Sequence, residues 1–120
     1  MKGIGNDIIE IERIESAHKE HGDAFLKRLF TEREKAYCLT CQNPYPRLAG
    51  RFAAKEAIAK ALGTGFGAEL SWHDIEILPD ERGKPVPHLS GTLRDLYPDL
   101  ELHVSISHAK AYATAVAIAL

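Results

Sequence analysis

Apolar residues change period several times along this chain, and each change marks an element. Residues 2–9, KGIGNDII, read as a strand with glycines at 3 and 5. Ile8, Ile11 and Ile14 then fall at i,i+3 spacing and predict a helix. Helical pattern continues over 24–39 as two short helices, and Thr31 with Glu34 forms an S/T-x-x-E capping box that restarts the second. QNPYP is a turn, because Pro44 and Pro46 cannot continue that helix. The longest helix is expected over 45–62, stopped by Gly63, with GTGFG as a flexible loop.

The second half switches to strand periodicity. Ile75 and Ile77 alternate with Asp74 and Glu76, predicting a strand near 71–78, and PDERGKP is a turn. Pro85 and Pro87 confine the next short strand to a sheet edge. Ser90 suits the cap of a short helix through Leu93 and Leu96, stopped by Pro98. HVSIS and YATAVAIAL are strands. Short connections favour antiparallel pairing. The expected class is α+β, one domain over 1–120, with a small, mostly antiparallel sheet on one long helix and several shorter ones.

The long helix is unusual in having no single apolar stripe. Leu48, Phe52, Ala54, Ala57, Ile58, Ala61 and Leu62 cover most of its circumference, which predicts packing on more than one side. Charges are set into that surface: Glu56 with Lys60 on one arc, Arg51 with Lys55 on another. Buried charge is costly unless paired or bound to something.

Composition narrows what they bind. The formal net charge of −2 over 120 residues argues against bulk electrostatic attraction to nucleic acid, while leaving room for a local basic patch. No apolar run approaches the roughly 18 residues of a membrane span. Acidic residues interrupt MKGIGNDIIEIERI, so it lacks a signal-peptide layout, and a cytoplasmic location is expected. Cys38 and Cys41 form C-x-x-C with no second pair for a zinc ribbon, and read as two reduced, partly buried thiols. His18 and His21 lack an evident third ligand and read as a solvated pair.

Asp7 has two readings. Its spacing to Glu10 suits a helix N-cap; alternatively it is a hard-metal ligand needing a second carboxylate, for which Glu56 is the best candidate. Lys60 is either an ion-pair partner of Glu56 or a phosphate contact. GTGFG offers backbone N–H groups to an anion but lacks the trailing G-K-[ST] of a P-loop. Ser107 and His108, adjacent on a strand, point to opposite faces and make a poor hydrolase pair; His108 alone, at the strand end, suits an anion.

The stretches GIGNDIIEIERI, AGRFAAKEAIAKALGTG, WHDIEI, GKP and HVSISHAKAYATAVAI, in that order, resemble the holo-[acyl-carrier-protein] synthase family of 4′-phosphopantetheinyl transferases. The specific signals are the Asp near the N-terminus and F-x-x-K-E-x-x-x-K on the long helix. The resemblance implies transfer of 4′-phosphopantetheine from coenzyme A to a serine of apo acyl carrier protein, leaving adenosine 3′,5′-bisphosphate and supporting fatty acid biosynthesis. It implies Mg²⁺ held by Asp7 and Glu56, Lys60 near the transferring phosphate, and Glu56 or a metal-bound water as base. It further implies Arg51, Lys55, His108 and Gly65 at coenzyme A, Arg13 and Arg28 at the carrier protein, and a homotrimer with sites between subunits. In CQNPYPR only Arg47 is basic, where relatives often carry more positive charge. Two other readings stay open: a non-catalytic binding module and a purely structural oligomer.

Overall fold

The alanine-rich stretch forms helix α4, Tyr45–Leu62, in a computed structural model that describes residues 2–120. Pro46 lies in its first turn, where no intrahelical N–H is needed, and Gly63 closes it in the left-handed region at φ 77°. Before it come β1 (Gly3–Glu10), α1 (Ile11–His21), α2 (Asp23–Leu29) and α3 (Glu32–Cys38). After it come a 3-10 turn at Trp72–Asp74, β2 (Ile75–Pro79), β3 (Pro85–Leu89), α5 (Gly91–Leu96), β4 (Leu102–His108) and β5 (Tyr112–Ala119).

Two antiparallel sheets result, one ordered β1-β5-β4 and the other the β2-β3 hairpin. As its prolines predict, β3 pairs on one side only. Helix α4 lies across the three-stranded sheet, and the facing residues explain how close it comes. Ala113, Ala115, Ala117 and Ala119 of β5 are all buried on that side. On β1 two of the facing positions are glycines, Gly3 and Gly5. A Cβ on Gly5 would sit 1.8 Å from the Ala57 carbonyl oxygen, and one on Gly3 1.9 Å from that of Ala61. Backbone therefore meets backbone, and Gly5→Ala would force strand and helix apart. The rest of α4 is enclosed too: Leu48 and Ile58 have no exposed surface, and burying such a side chain contributes about 1.5–3 kcal/mol.

The sheet's other face is left uncovered. Ile4 and Ile8 are 60% and 62% exposed, and Tyr112 is 49% exposed. Ile8 accordingly belongs to β1, and α1 begins at Ile11. The Thr31–Glu34 capping box forms as predicted, and the Ser90 hydroxyl accepts from the Leu93 N–H to start α5. The strand expected from 71 starts only at Ile75, because Ser71 and Asp74 cap the short turn between them. Cys38 is buried, Cys41 half-buried, and both are free thiols. Of the two histidines read as solvated, His21 is exposed, while His18 is half-buried with its Nδ1 3.0 Å from the Tyr45 hydroxyl, tying α1 to α4.

Candidate active site

Alternation along β1 decides where Asp7 points. Gly5 and Ile9 are buried against α4, so Asp7, of the same parity, faces the helix too. It sits mid-strand opposite Ala115, and the Thr114 hydroxyl donates to its carbonyl at 2.8 Å. The N-cap reading is thereby corrected: Glu10 occupies the cap of α1 and makes no side-chain capping bond.

Asp7 meets α4 beside Glu56 and Lys60. The Lys60 ammonium donates to Asp7 Oδ1 at 3.1 Å and to the Asn6 carbonyl at 2.9 Å. The sequence pairing of Lys60 with Glu56 gives way to a cross-element contact with Asp7. Asp7 and Glu56 together line one cavity of about 370 Å³, with Arg13 from α1 and an apolar wall that includes Ile14, Phe25 and Phe52. Burial holds the Glu56 carboxyl above its usual range, the Asp7 charge adds to that, and the Lys60 ammonium opposes it. Glu56 forms no ion pair among the described residues. Two neighbouring carboxylates with one exposed lysine between strand and helix make a place where a cation is favoured.

No group of three or more His, Cys, Asp or Glu side chains able to hold a metal is found among the described residues. The Asp7–Glu56 pair does fit Mg²⁺, which takes one or two protein carboxylates and completes its shell with water and phosphate oxygens. Its oxygen-only donors and Glu56's disfavoured charge both suit a hard cation.

Other expected site residues lie elsewhere. Lys55 is corrected outright. It has no exposed surface, and its ammonium donates to Glu34 Oε1 at 2.7 Å, the Leu29 carbonyl at 2.8 Å and the Trp72 carbonyl at 2.9 Å. Three partners exhaust three donors, so no N–H is left for a phosphate. Arg51 is 6% exposed, stacked 4.8 Å from the Tyr37 ring centre, and its Nε is buried without a partner. Arg47 lies over the same ring at 4.4 Å. Gly65 is exposed at φ 62°, and His108 is exposed at the end of β4 opposite Ala113. None of Arg51, Arg47, Gly65 and His108 lines the Asp7–Glu56 cavity. Arg28 lines a separate cavity with His21, Ala24 and Phe25.

Sequence reasoning missed Glu34, Asn6 and the apolar wall. Glu34 was visible as a capping residue, but nothing local marked it as the partner of Lys55. Phe52 could have been found, since it lies four residues before Glu56 on the same helical face.

With this geometry in hand, comparison with known proteins is decisive. A sequence profile of the 4′-phosphopantetheinyl transferase superfamily matches residues 3–117. A holo-[acyl-carrier-protein] synthase of Protochlamydia amoebophila is 55% identical over 116 residues, covering 97% of this chain and 95% of that protein. The chain belongs to the holo-[acyl-carrier-protein] synthase family. Among solved structures of this family, the Helicobacter pylori enzyme in complex with coenzyme A superposes with a TM-score of 0.89 at 37% identity, covering 98% of this chain and 99% of that one. The Neisseria meningitidis enzyme superposes at 0.92 and 34% identity, covering 100% and 98%. Phosphopantetheinyl transferase is thus the enzyme class of this chain.

Proposed function

We propose that this protein transfers the 4′-phosphopantetheine arm of coenzyme A to a serine hydroxyl of an apo acyl carrier protein, with Mg²⁺, leaving adenosine 3′,5′-bisphosphate. The observation that carries this reading is the convergence of Asp7 and Glu56, 49 residues apart in the chain, on one cavity beside Lys60. Relatives named for the same reaction, one of them in complex with coenzyme A, support it.

Phosphoryl transfer depends chiefly on positioning and charge neutralisation. Asp7 and Glu56 would hold Mg²⁺, which when bound supplies neutralisation of the pyrophosphate. Glu56, directly or through a water it orients, accepts the serine proton; burial and the Asp7 charge raise its affinity for that proton. Lys60, tethered by Asp7 and the Asn6 carbonyl yet 54% exposed, faces the leaving phosphate oxygen. Arg13, at the rim of the cavity on α1, contacts the acidic carrier protein, and Arg28 assists from α2.

The uncovered sheet face supports a homotrimer. Three positions along that face, Ile4, Ile8 and Tyr112, are about half exposed or more, and such a surface is suited to a subunit contact. Coenzyme A then lies between neighbours, and Arg51, Gly65 and His108 belong to the wall completed by the assembly. No helix is long and apolar enough to cross a membrane; a cytoplasmic location is part of the proposal.

The test is to incubate the protein with coenzyme A, Mg²⁺ and apo acyl carrier proteins, and weigh the carriers. The expected result is a gain of one phosphopantetheine, abolished by a chelator. Unchanged mass across several carriers, with coenzyme A still raising the melting temperature, would favour a binding module instead.

A further inference from the structure

The loop after α4 contains three glycines with positive φ: Gly63 at 77°, Gly65 at 62° and Gly67 at 157°. Glycine loses more freedom on ordering than any other residue, so something must hold this segment. Its backbone bonds lie at its ends. Gly63 and Thr64 donate to the last turn of α4, and Gly67 donates to the Leu70 carbonyl. Among the described residues the Gly65 and Phe66 amides make no backbone bond, and the Thr64 hydroxyl is buried without a partner. The middle of the loop is held by one ring. Phe66 stacks on Trp72 with centroids 3.8 Å apart and planes 10° from parallel. Trp72 in turn stacks on Phe52 at 5.2 Å and 22°.

Each end of this stack reaches something the proposed reaction uses. Phe52 lines the Asp7–Glu56 cavity, one helical turn before Glu56. Phe66 stands in the loop that leaves α4 just after Lys60, whose carbonyl accepts from the Gly63 N–H at 3.1 Å. Between them the Trp72 backbone is fixed independently, since its carbonyl accepts from the buried Lys55 ammonium at 2.9 Å. An indole clamped at its backbone and stacked on both sides of the connection is a rigid link between helix face and loop.

We propose that Trp72 and Phe66 are positioning residues, whose stack holds the Gly63–Leu70 loop as a preformed wall for coenzyme A beside Glu56 and Lys60. The proposal rests on the transferase reading of that face. Asp7, Glu56 and Lys60 stand on β1 and α4, not on the loop, so loosening the loop should weaken coenzyme A binding in ground and transition states alike. That is a KM effect, with kcat retained.

Phe66→Ala, at a half-buried position, is the primary variant; Phe66→Tyr keeps the stack. For Phe66→Ala the expected results are a red shift of emission from Trp72, the chain's only tryptophan, and faster amide exchange at Thr64 and Gly67, the loop amides that are hydrogen-bonded. The KM for coenzyme A should rise about tenfold, with kcat within about threefold of the parent, and Phe66→Tyr should restore all three readouts. An unchanged KM for coenzyme A, or a loss in kcat with KM intact, overturns the proposal. Should the parent protein transfer nothing, the transferase reading fails by itself. Emission and exchange then still decide on the stack: parental exchange at Thr64 and Gly67 in Phe66→Ala overturns its role in ordering the loop.

Discussion

Helix α4 carries two lysines, each facing a carboxylate from another element, and the two clusters are built to opposite ends. Lys55 and Glu34 have no exposed side-chain surface and meet at 2.7 Å; Lys60 and Asp7 are 54% and 17% exposed and meet at 3.1 Å. In the first cluster every ammonium donor and both carboxylate oxygens are used. Glu34 Oε1 also accepts from the Thr31 N–H at 2.9 Å, and Oε2 from the Ile77 N–H at 2.8 Å, while Lys55 makes the three bonds already described. This cluster fastens the ends of α2 and α3, the Trp72 turn and β2 onto α4. In the second, Glu56 faces the cavity without an ion-pair partner, its charge disfavoured by burial and by Asp7. A saturated ion pair has nothing left to offer a ligand. An incompletely satisfied one, opening on a cavity, has chemistry to give.

Removing each lysine in turn should separate the two clusters by the largest margin. Lys55→Ala strands a buried carboxylate and should cost about 3–5 kcal/mol of stability. Lys60→Ala should cost at most about 1 kcal/mol, because its pair is solvent-screened. Denaturant unfolding of both variants at one pH measures the difference. Equal losses would show that burial does not separate the two clusters. Glu34→Gln combined with Lys55→Met, which leaves no uncompensated charge, should recover part of the stability that Lys55→Ala loses.

Glu56→Gln tests the open cluster directly. As the proposed general base and a proposed metal ligand, its loss should lower kcat/KM by about 10²-fold or more. The same change should leave the unfolding midpoint in place or raise it, since the carboxylate it replaces is disfavoured in the fold. Transfer within a few-fold of the parent would take Glu56 out of the reaction. A collapse in stability would instead make Glu56 structural, like Glu34.

How much of this distinction was legible in the sequence depends on its range. The long helix was readable to its ends, because Pro46 and Gly63 are local signals. So was the capping box at Thr31, and so was the antiparallel arrangement. Lys55 was misjudged for a physical reason. On a helix enclosed on most sides, a charged residue is equally consistent with a ligand and with a buried partner, and Glu34 lies 21 positions away. Asp7 posed the same difficulty in reverse. Its spacing to Glu10 was a local signal for a cap, and the strand overrode it because Gly3 and Gly5 let β1 lie flush on α4. The Asp7–Glu56 pairing came from a family pattern; no rule of spacing reaches across 49 residues. The aromatic link from Phe52 through Trp72 to Phe66 had no sequence signature at all.

The smallest effect, in the pH dependence of stability, separates the clusters without any assay of transfer. The Glu56 carboxyl is held above its usual range in the fold. Between the ordinary glutamate value and that raised value, the native state binds more protons than the unfolded state. Its contribution to stability therefore falls as pH rises through this window and stays lost above it. Glu56→Gln should flatten that part of the profile, and Asp7→Asn should reduce its slope, because the Asp7 charge is the second cause of the shift after burial. Mg²⁺ should act in the opposite sense. A cation held by the ionised pair binds the native state only, so stability at fixed Mg²⁺ should rise over the same window by mass action. The measurement is the unfolding midpoint from mildly acidic to neutral pH, with and without Mg²⁺, in the parent and in Glu56→Gln. A profile that Mg²⁺ leaves unchanged in the parent would mean that Asp7 and Glu56 share a cavity without sharing an ion.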